Sequence, residues 1–215
     1  MLAVLALWVL TLDQGQTVLP AWKIPNSHPE YAPLDQALDA GDFRKAGRLL
    51  DGGLDVNKIV SHGTTRLTEA CILGRPDIAA FLIRRGARLD QADWIGMVPL
   101  GYAANNNRPA MVDLLLKAGA KVDGAKGGAP PLQAAAGYGH IGIIRRLLRA
   151  GARIDAVDDR KMTALMAAAW EGSTEAVQVL LSAGADRKLR NRWGETALDC
   201  ARQKGHREIE QILLK

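Results

Sequence analysis

Apolar positions recur along this chain in blocks of about 33 residues, rather than as one long run or a strict alternation. Leu34, Leu67, Leu100, Leu132, Leu165 and Leu198 are separated by 33, 33, 32, 33 and 33 residues. Three positions after each stands Ala37, Ala70, Ala103, Ala135, Ala168 or Ala201. Fifteen and sixteen positions after each leucine comes an apolar pair: Leu49 and Leu50, Leu82 and Ile83, Leu115 and Leu116, Leu147 and Leu148, Leu180 and Leu181, Leu213 and Leu214. Around the pair the apolar residues fall at helical spacing, as Ile143, Ile144, Leu147 and Leu148 do. The pattern predicts two short helices in every block.

Each repeated residue has a mechanical reason. The alanine lets one first helix lie close against the next, where a larger side chain would wedge the blocks apart. A glycine after the second helix ends it, and a glycine between the two helices makes a sharp turn. In the third block Asn107 takes that turn position, and Asn tolerates the left-handed region best after Gly.

These features resemble the ankyrin repeat, with its 33-residue period and Thr-Pro-Leu-His-x-Ala motif. The matching fragments are Val98-Pro99-Leu100, Pro130-Pro131-Leu132, Thr163-Ala164-Leu165 and Thr196-Ala197-Leu198, with Gly139-His140 and Gly205-His206 at the turn. The resemblance implies an all-α solenoid of about six helix-turn-helix repeats over residues 32–215, with β-hairpin-like fingers between repeats. The motif histidine is replaced throughout, by Asp35, Thr68, Gly101, Gln133, Met166 and Asp199, so its usual bonds between repeats must be remade or omitted. The finger at Gly124 to Gly128 is one residue short and is expected to be mobile. In the last repeat Arg202 stands where its counterparts are mostly Ala, which reads as a polar cap on the open end.

Ahead of the repeats lie two different segments. Residues 1–21 begin with an apolar stretch, Met1 to Leu12, too short to span a bilayer. Its length fits the core of a secretory signal, although no Lys or Arg precedes it; the other reading is an apolar arm packed on the first repeat. Residues 22–31 are proline-rich and read as a linker or lid. The leader leads us to expect a protein in the periplasm or secreted, with the cytoplasm as the alternative, and the Ala-, Gly- and Arg-rich composition points to a bacterial source.

Composition narrows function chiefly by exclusion. The net charge of +5 comes from 28 Lys and Arg against 23 Asp and Glu, interspersed and without a run of five like charges. No linear stripe of cations and stacking aromatics points to nucleic acid. Cys71 and Cys200 belong to the second and sixth repeats, too far apart for a disulfide, and read as small buried residues. No cysteine or histidine sits at metal-ligand spacing, so neither a metal nor a cofactor is expected. His140 and His206 occupy scaffold turns, while His28 and His62 lack partners for a triad. Asp158 and Asp159 are adjacent on a turn and should point apart. No catalytic constellation emerges.

The sequence does offer a surface. In arrays of this kind the finger tips and the ends of the first helices face the concave groove and vary with the partner. Those positions hold Ser61, His62, Ile72, Leu73, Trp94, Ile95, Asn105, Asn106, Tyr138, Asp159, Arg160, Trp170, Glu171, Arg192 and Trp193. Three of the five Trp residues fall there, and aromatics and Arg are typical interface anchors. All four aromatics, Trp94, Tyr138, Trp170 and Trp193, are expected to line one side of the array, with Trp170 not filling the inter-repeat core. The resulting expectation is a non-catalytic scaffold, monomeric when free, that binds one protein through this groove. An inhibitor that neutralises a toxin or enzyme, or a stabiliser of a periplasmic enzyme, fits the same surface.

Overall fold

The computed structural model describes residues 28–215. A 3-10 turn, Pro29–Tyr31, leads into twelve α-helices among these residues. They form six successive pairs: α1 Ala32–Asp39 with α2 Phe43–Asp51, α3 Arg66–Leu73 with α4 Pro76–Arg84, and α5 Pro99–Asn105 with α6 Pro109–Lys117. Then follow α7 Pro131–Gly137 with α8 Ile141–Arg149, α9 Ala164–Glu171 with α10 Thr174–Ser182, and α11 Ala197–Lys204 with α12 Arg207–Leu214. First helices pack on neighbouring first helices, and second helices on neighbouring second helices. The result is a one-dimensional stack, whose stability is a sum over repeats and their interfaces.

The core is that of the 33-residue pattern. All six leucines except Leu198 are at most 1% exposed, and all six alanines at most 2%. Leu198, in the last of the described repeats, is half-buried. In that repeat Arg202 pairs with Glu210 at 2.8 Å, which makes the expected polar cap. Tyr31, at the end of the proline-rich segment, is a core residue of the first repeat: its hydroxyl accepts the Asp55 amide at 3.1 Å, and the Arg66 guanidinium lies over its ring. The segment before residue 28, with both readings of the leader, lies outside the described residues.

Backbone groups at helix ends are tied to the next repeat. The turn residue between paired helices donates to the carbonyl that ends the preceding first helix. Arg108 reaches Ile72, His140 reaches Asn105, Ser173 reaches Gly137 and His206 reaches Trp170, at 3.4, 3.0, 3.1 and 3.1 Å. A second ladder joins the loops, where Asn57, Asp90, Asp123 and Asp155 accept the amides of Arg88, Lys121, Arg153 and Asp186. The left-handed turn at Asn107 has φ of 50°, as its glycine counterparts required.

Of the residues that replace the motif histidine, Asp35 and Gln133 bond to the following repeat or its finger, while Thr68 and Asp199 close capping boxes at the starts of their own helices. Asp35 holds Arg66 of the next repeat through two bonds at 2.6 and 3.2 Å, both side chains buried. Gln133 donates to Asp158, and Asp199 closes a capping box with Thr196 that also holds its carboxyl below the ordinary range. Cys71 and Cys200 are buried free thiols, and burial pushes the Cys200 thiol up to about 11.

Candidate functional site

The fingers depart from the expected hairpins. Only the first is a paired ribbon, β1 Ile59–Ser61 antiparallel to β2 Thr64–Thr65. Its two-residue loop, His62 and Gly63, has φ of 48° and 83°, the positive angles that a twist-matched hairpin turn requires. The later fingers close by single cross-bonds instead, Asp93 to Met97, Asp158 to Met162 and Asn191 to Glu195.

What shapes those three fingers is an acceptor side chain at the base, seven residues before the repeat leucine. Asp93 Oδ1 accepts the amides of Ile95 and Met97, Asp158 Oδ1 those of Arg160 and Met162, and Asn191 Oδ1 those of Trp193 and Glu195. Short polar side chains of this type mimic a turn of backbone. The first helices brace the same side chains. Tyr102 donates its hydroxyl to Asp93, burial and then this bond raising the phenol's pKa, and Gln133 donates to Asp158. Sequence reasoning passed over all three clips, although their shared offset from the leucine was a usable signal.

Neighbouring fingers also bond to each other. The Trp94 amide donates to His62, Asp159 to Gly127 and Arg192 to Arg160. The short finger before the fourth repeat is therefore not a free loop. Gly128 lies so close to the Gly96 backbone that a Cβ there would overlap the Gly96 carbonyl. The short finger sits between its neighbours, bonded to one and packed against the backbone of the other.

The structure places the candidate residues in two groups. Trp94 is 77% exposed, Ile95 59%, Trp193 62% and Tyr138 48%. Trp94 leans edge-on against His62, and Tyr138 stacks on His140 at 5.9 Å between centroids. Asp159, Arg160, Glu171 and Arg192 are also exposed, and Asp158 is buried, so the adjacent carboxylates do point apart. The second group is engaged in the scaffold. Ile72, Leu73, Asn105 and Asn106 are half-buried, and the Asn106 amide donates back to Tyr102. Trp170 corrects the expectation that its side chain does not fill the inter-repeat core. It is half-buried against the core, with the Lys204 ammonium 4.3 Å from its ring centroid, because the last first helix packs across it.

Exposed large apolar residues thus collect on one side of the molecule. Among the described residues they are Ile59, Trp94, Ile95, Tyr138, Val157, Trp193 and the near-terminal Leu214. The first six lie on fingers or at the end of a first helix, and none lies on the outer face of a second helix before the last. A single exposed apolar residue is ordinary, but a row of them with aromatics and Arg marks an interaction surface.

This architecture is a helical-repeat binding scaffold, stacked through its first helices and displaying a row of fingers. The chain belongs to the ankyrin-repeat family: the family model for ankyrin repeats matches residues 34–126, 100–191 and 132–215. Repeats of this family serve as scaffolds for protein-protein interaction. The chain is 30% identical over 159 residues to an ankyrin repeat protein, nuc-2, of Neurospora crassa, covering 73% of this chain and 15% of that protein. It is 28% identical over 214 residues to human palmitoyltransferase ZDHHC17, covering 81% of this chain and 34% of the relative. An Escherichia coli protein named for its ankyrin repeats, YahD, is 28% identical over 198 residues, covering 85% of this chain and 95% of its own length. Most of these relatives are thus far longer than the stretch the chain spans. No helix among the described residues is long and apolar enough to cross a membrane.

Proposed function

We propose that this chain is a non-catalytic binding module that holds a partner protein against its finger row and first-helix ends. The observation that carries the reading is the one-sided display of Trp94, Ile95 and Trp193 on fingers braced by Asp93 and Asn191, with Tyr138 exposed at the end of a first helix. Preformed anchors lose little freedom on binding, so a rigid row gives affinity that a flexible loop would not. The polar residues of the site, Asn105, Asn106, Asp159, Arg160, Glu171 and Arg192, lie on the same fingers and first-helix ends as a polar rim, with Trp170 half-buried among them. A rigid row of this kind suits either inhibition of a toxin or enzyme or stabilisation of an exported enzyme, since both need only a stable lid over one surface. Export of a bacterial protein to the periplasm, and a monomer before the partner arrives, belong to the same proposal. The experiment is a comparison of baits by quantitative mass spectrometry. Proteins retained by the wild type and by Gln178→Ala on a second helix should be lost with Trp94→Ala/Trp193→Ala. Equal retention by all three would contradict the reading.

A further inference from the structure

Charge is unevenly spread along the finger row. At the second finger the Asp93 carboxylate is turned inward, occupied by two amides and the Tyr102 hydroxyl, so Trp94 and Ile95 project from a tip without an exposed charge. The last two fingers differ. They surround Trp193 with Arg160, Lys161, Arg190 and Arg192, and Lys126 stands on the finger before them. Among the described residues Lys126, Lys161, Arg190 and Arg192 make no ion pair with a carboxylate. Arg190 and Arg192 reach only carbonyl oxygens, those of Gly194 and Asp159.

The nearby carboxylates offset these cations only in part: Asp199 lies within electrostatic reach of Arg190, and Asp158 pairs with Arg160. Asp158 is buried beneath Arg160, whose guanidinium faces outward with its side chain 48% exposed. Glu195 accepts from Asn191 and Gln203. Asp159 and Glu171 are the exposed acids, while Lys204 adds a further cation over Trp170. An apolar end thus passes into a cationic end along one line of fingers. Guanidinium groups favour carboxylates because two parallel bonds can form, and cations clustered at tips repel one another until an acid arrives.

We infer that the finger row accepts an extended acidic segment of a partner protein, its apolar residue on Trp94 and Ile95 and its carboxylates among Arg160, Lys161, Arg190 and Arg192. This rests on the reading of the finger row as the docking surface. Three repeat steps separate Trp94 from Trp193, and helices packed 8–10 Å apart make that roughly 25–30 Å. An extended chain of about eight or nine residues spans it.

The probe is a phage-displayed library of random dodecapeptides, selected on the full chain and followed by fluorescence anisotropy of the selected peptides. Acidic residues beside an apolar one should dominate the selection. Affinity should fall about tenfold or more in Arg190→Glu/Arg192→Glu, and also for the wild type as salt is raised, which needs no variant to fold. Neutral or basic selected peptides, or affinity indifferent to salt and to both arginines, overturn the acidic partner while leaving the finger row in place. Binding that survives Trp94→Ala/Trp193→Ala overturns the finger row itself. A single-stranded polythymidine that displaces the peptides at equal or better affinity overturns the commitment to a protein segment.

Discussion

His206 donates from Nε2 to the carbonyl of Trp170 at 3.1 Å, so the last repeat caps the very helix end that presents a candidate contact residue. Trp170 is therefore both scaffold and surface, unlike Trp94 and Trp193. Trp170→Ala should lower the free energy of unfolding by about 1–3 kcal/mol, whereas Trp94→Ala and Trp193→Ala should stay within about 0.5 kcal/mol of the wild type. Urea denaturation of the three variants checks this. A silent Trp170→Ala would show that its contact with the core carries no stability.

Ala168 has no exposed surface, packed where first helices of neighbouring repeats meet. Ala168→Leu forces three more carbons into that contact and should destabilise by about 1–3 kcal/mol. Because coupling in a repeat array runs between neighbours, hydrogen exchange should quicken most in the fourth to sixth repeats. Uniform acceleration across all six would argue for a stack more cooperative than nearest-neighbour contacts allow.

Glu69 is buried with neither carboxyl oxygen hydrogen-bonded, and burial pushes its pKa from 4.5 to about 8 against the pull of Arg66, with Asp35 and Asp39 adding to the rise. The folded state therefore prefers the neutral acid, while the unfolded chain releases the proton near 4.5. Below that pH the group is without effect on stability, and its burden grows up to about pH 8. At roughly 1.4 kcal/mol per unit the ceiling is about 5 kcal/mol. Glu69→Gln should accordingly gain stability relative to the wild type as pH rises from 4 to 8. A stability difference that is flat over that range would contradict it.

Lys161 has φ of 58° at the finger position where the others carry Gly96 or Gly194. A side chain in the left-handed region costs about 1 kcal/mol, so Lys161→Gly should stabilise the protein by somewhat less than that, after the entropy of the freer unfolded chain is counted. Thermal or urea denaturation reads it directly. A loss of stability would mean that the lysine side chain makes a contact worth more than its backbone strain.

The helices, their order and their alanine contacts were legible because one period of 33 residues records them six times over. Trp94, Ile95, Tyr138 and Trp193 were legible as exposed positions for the same reason. Trp170 was not, since its burial depends on the final first helix and on Lys204, both distant in sequence. The clips at Asp93, Asp158 and Asn191 look like any polar finger residue until the chain turns back on them. Nor does the period disclose the buried set of Asp35, Arg66 and Glu69, whose residue types are those of an exposed surface and whose burial arises only when two repeats meet.

The central claim is that the finger side, and not the second-helix side, meets the partner. Photo-crosslinking tests it most directly, with benzoylphenylalanine placed singly at Trp94, Tyr138 and Trp193, and at exposed Arg145 and Gln178 on second helices, in the cell that makes the protein. The account predicts the same discrete adduct from the three finger-side positions and none from Arg145 or Gln178. An adduct formed from the second-helix positions, with the finger-side positions silent, would contradict it.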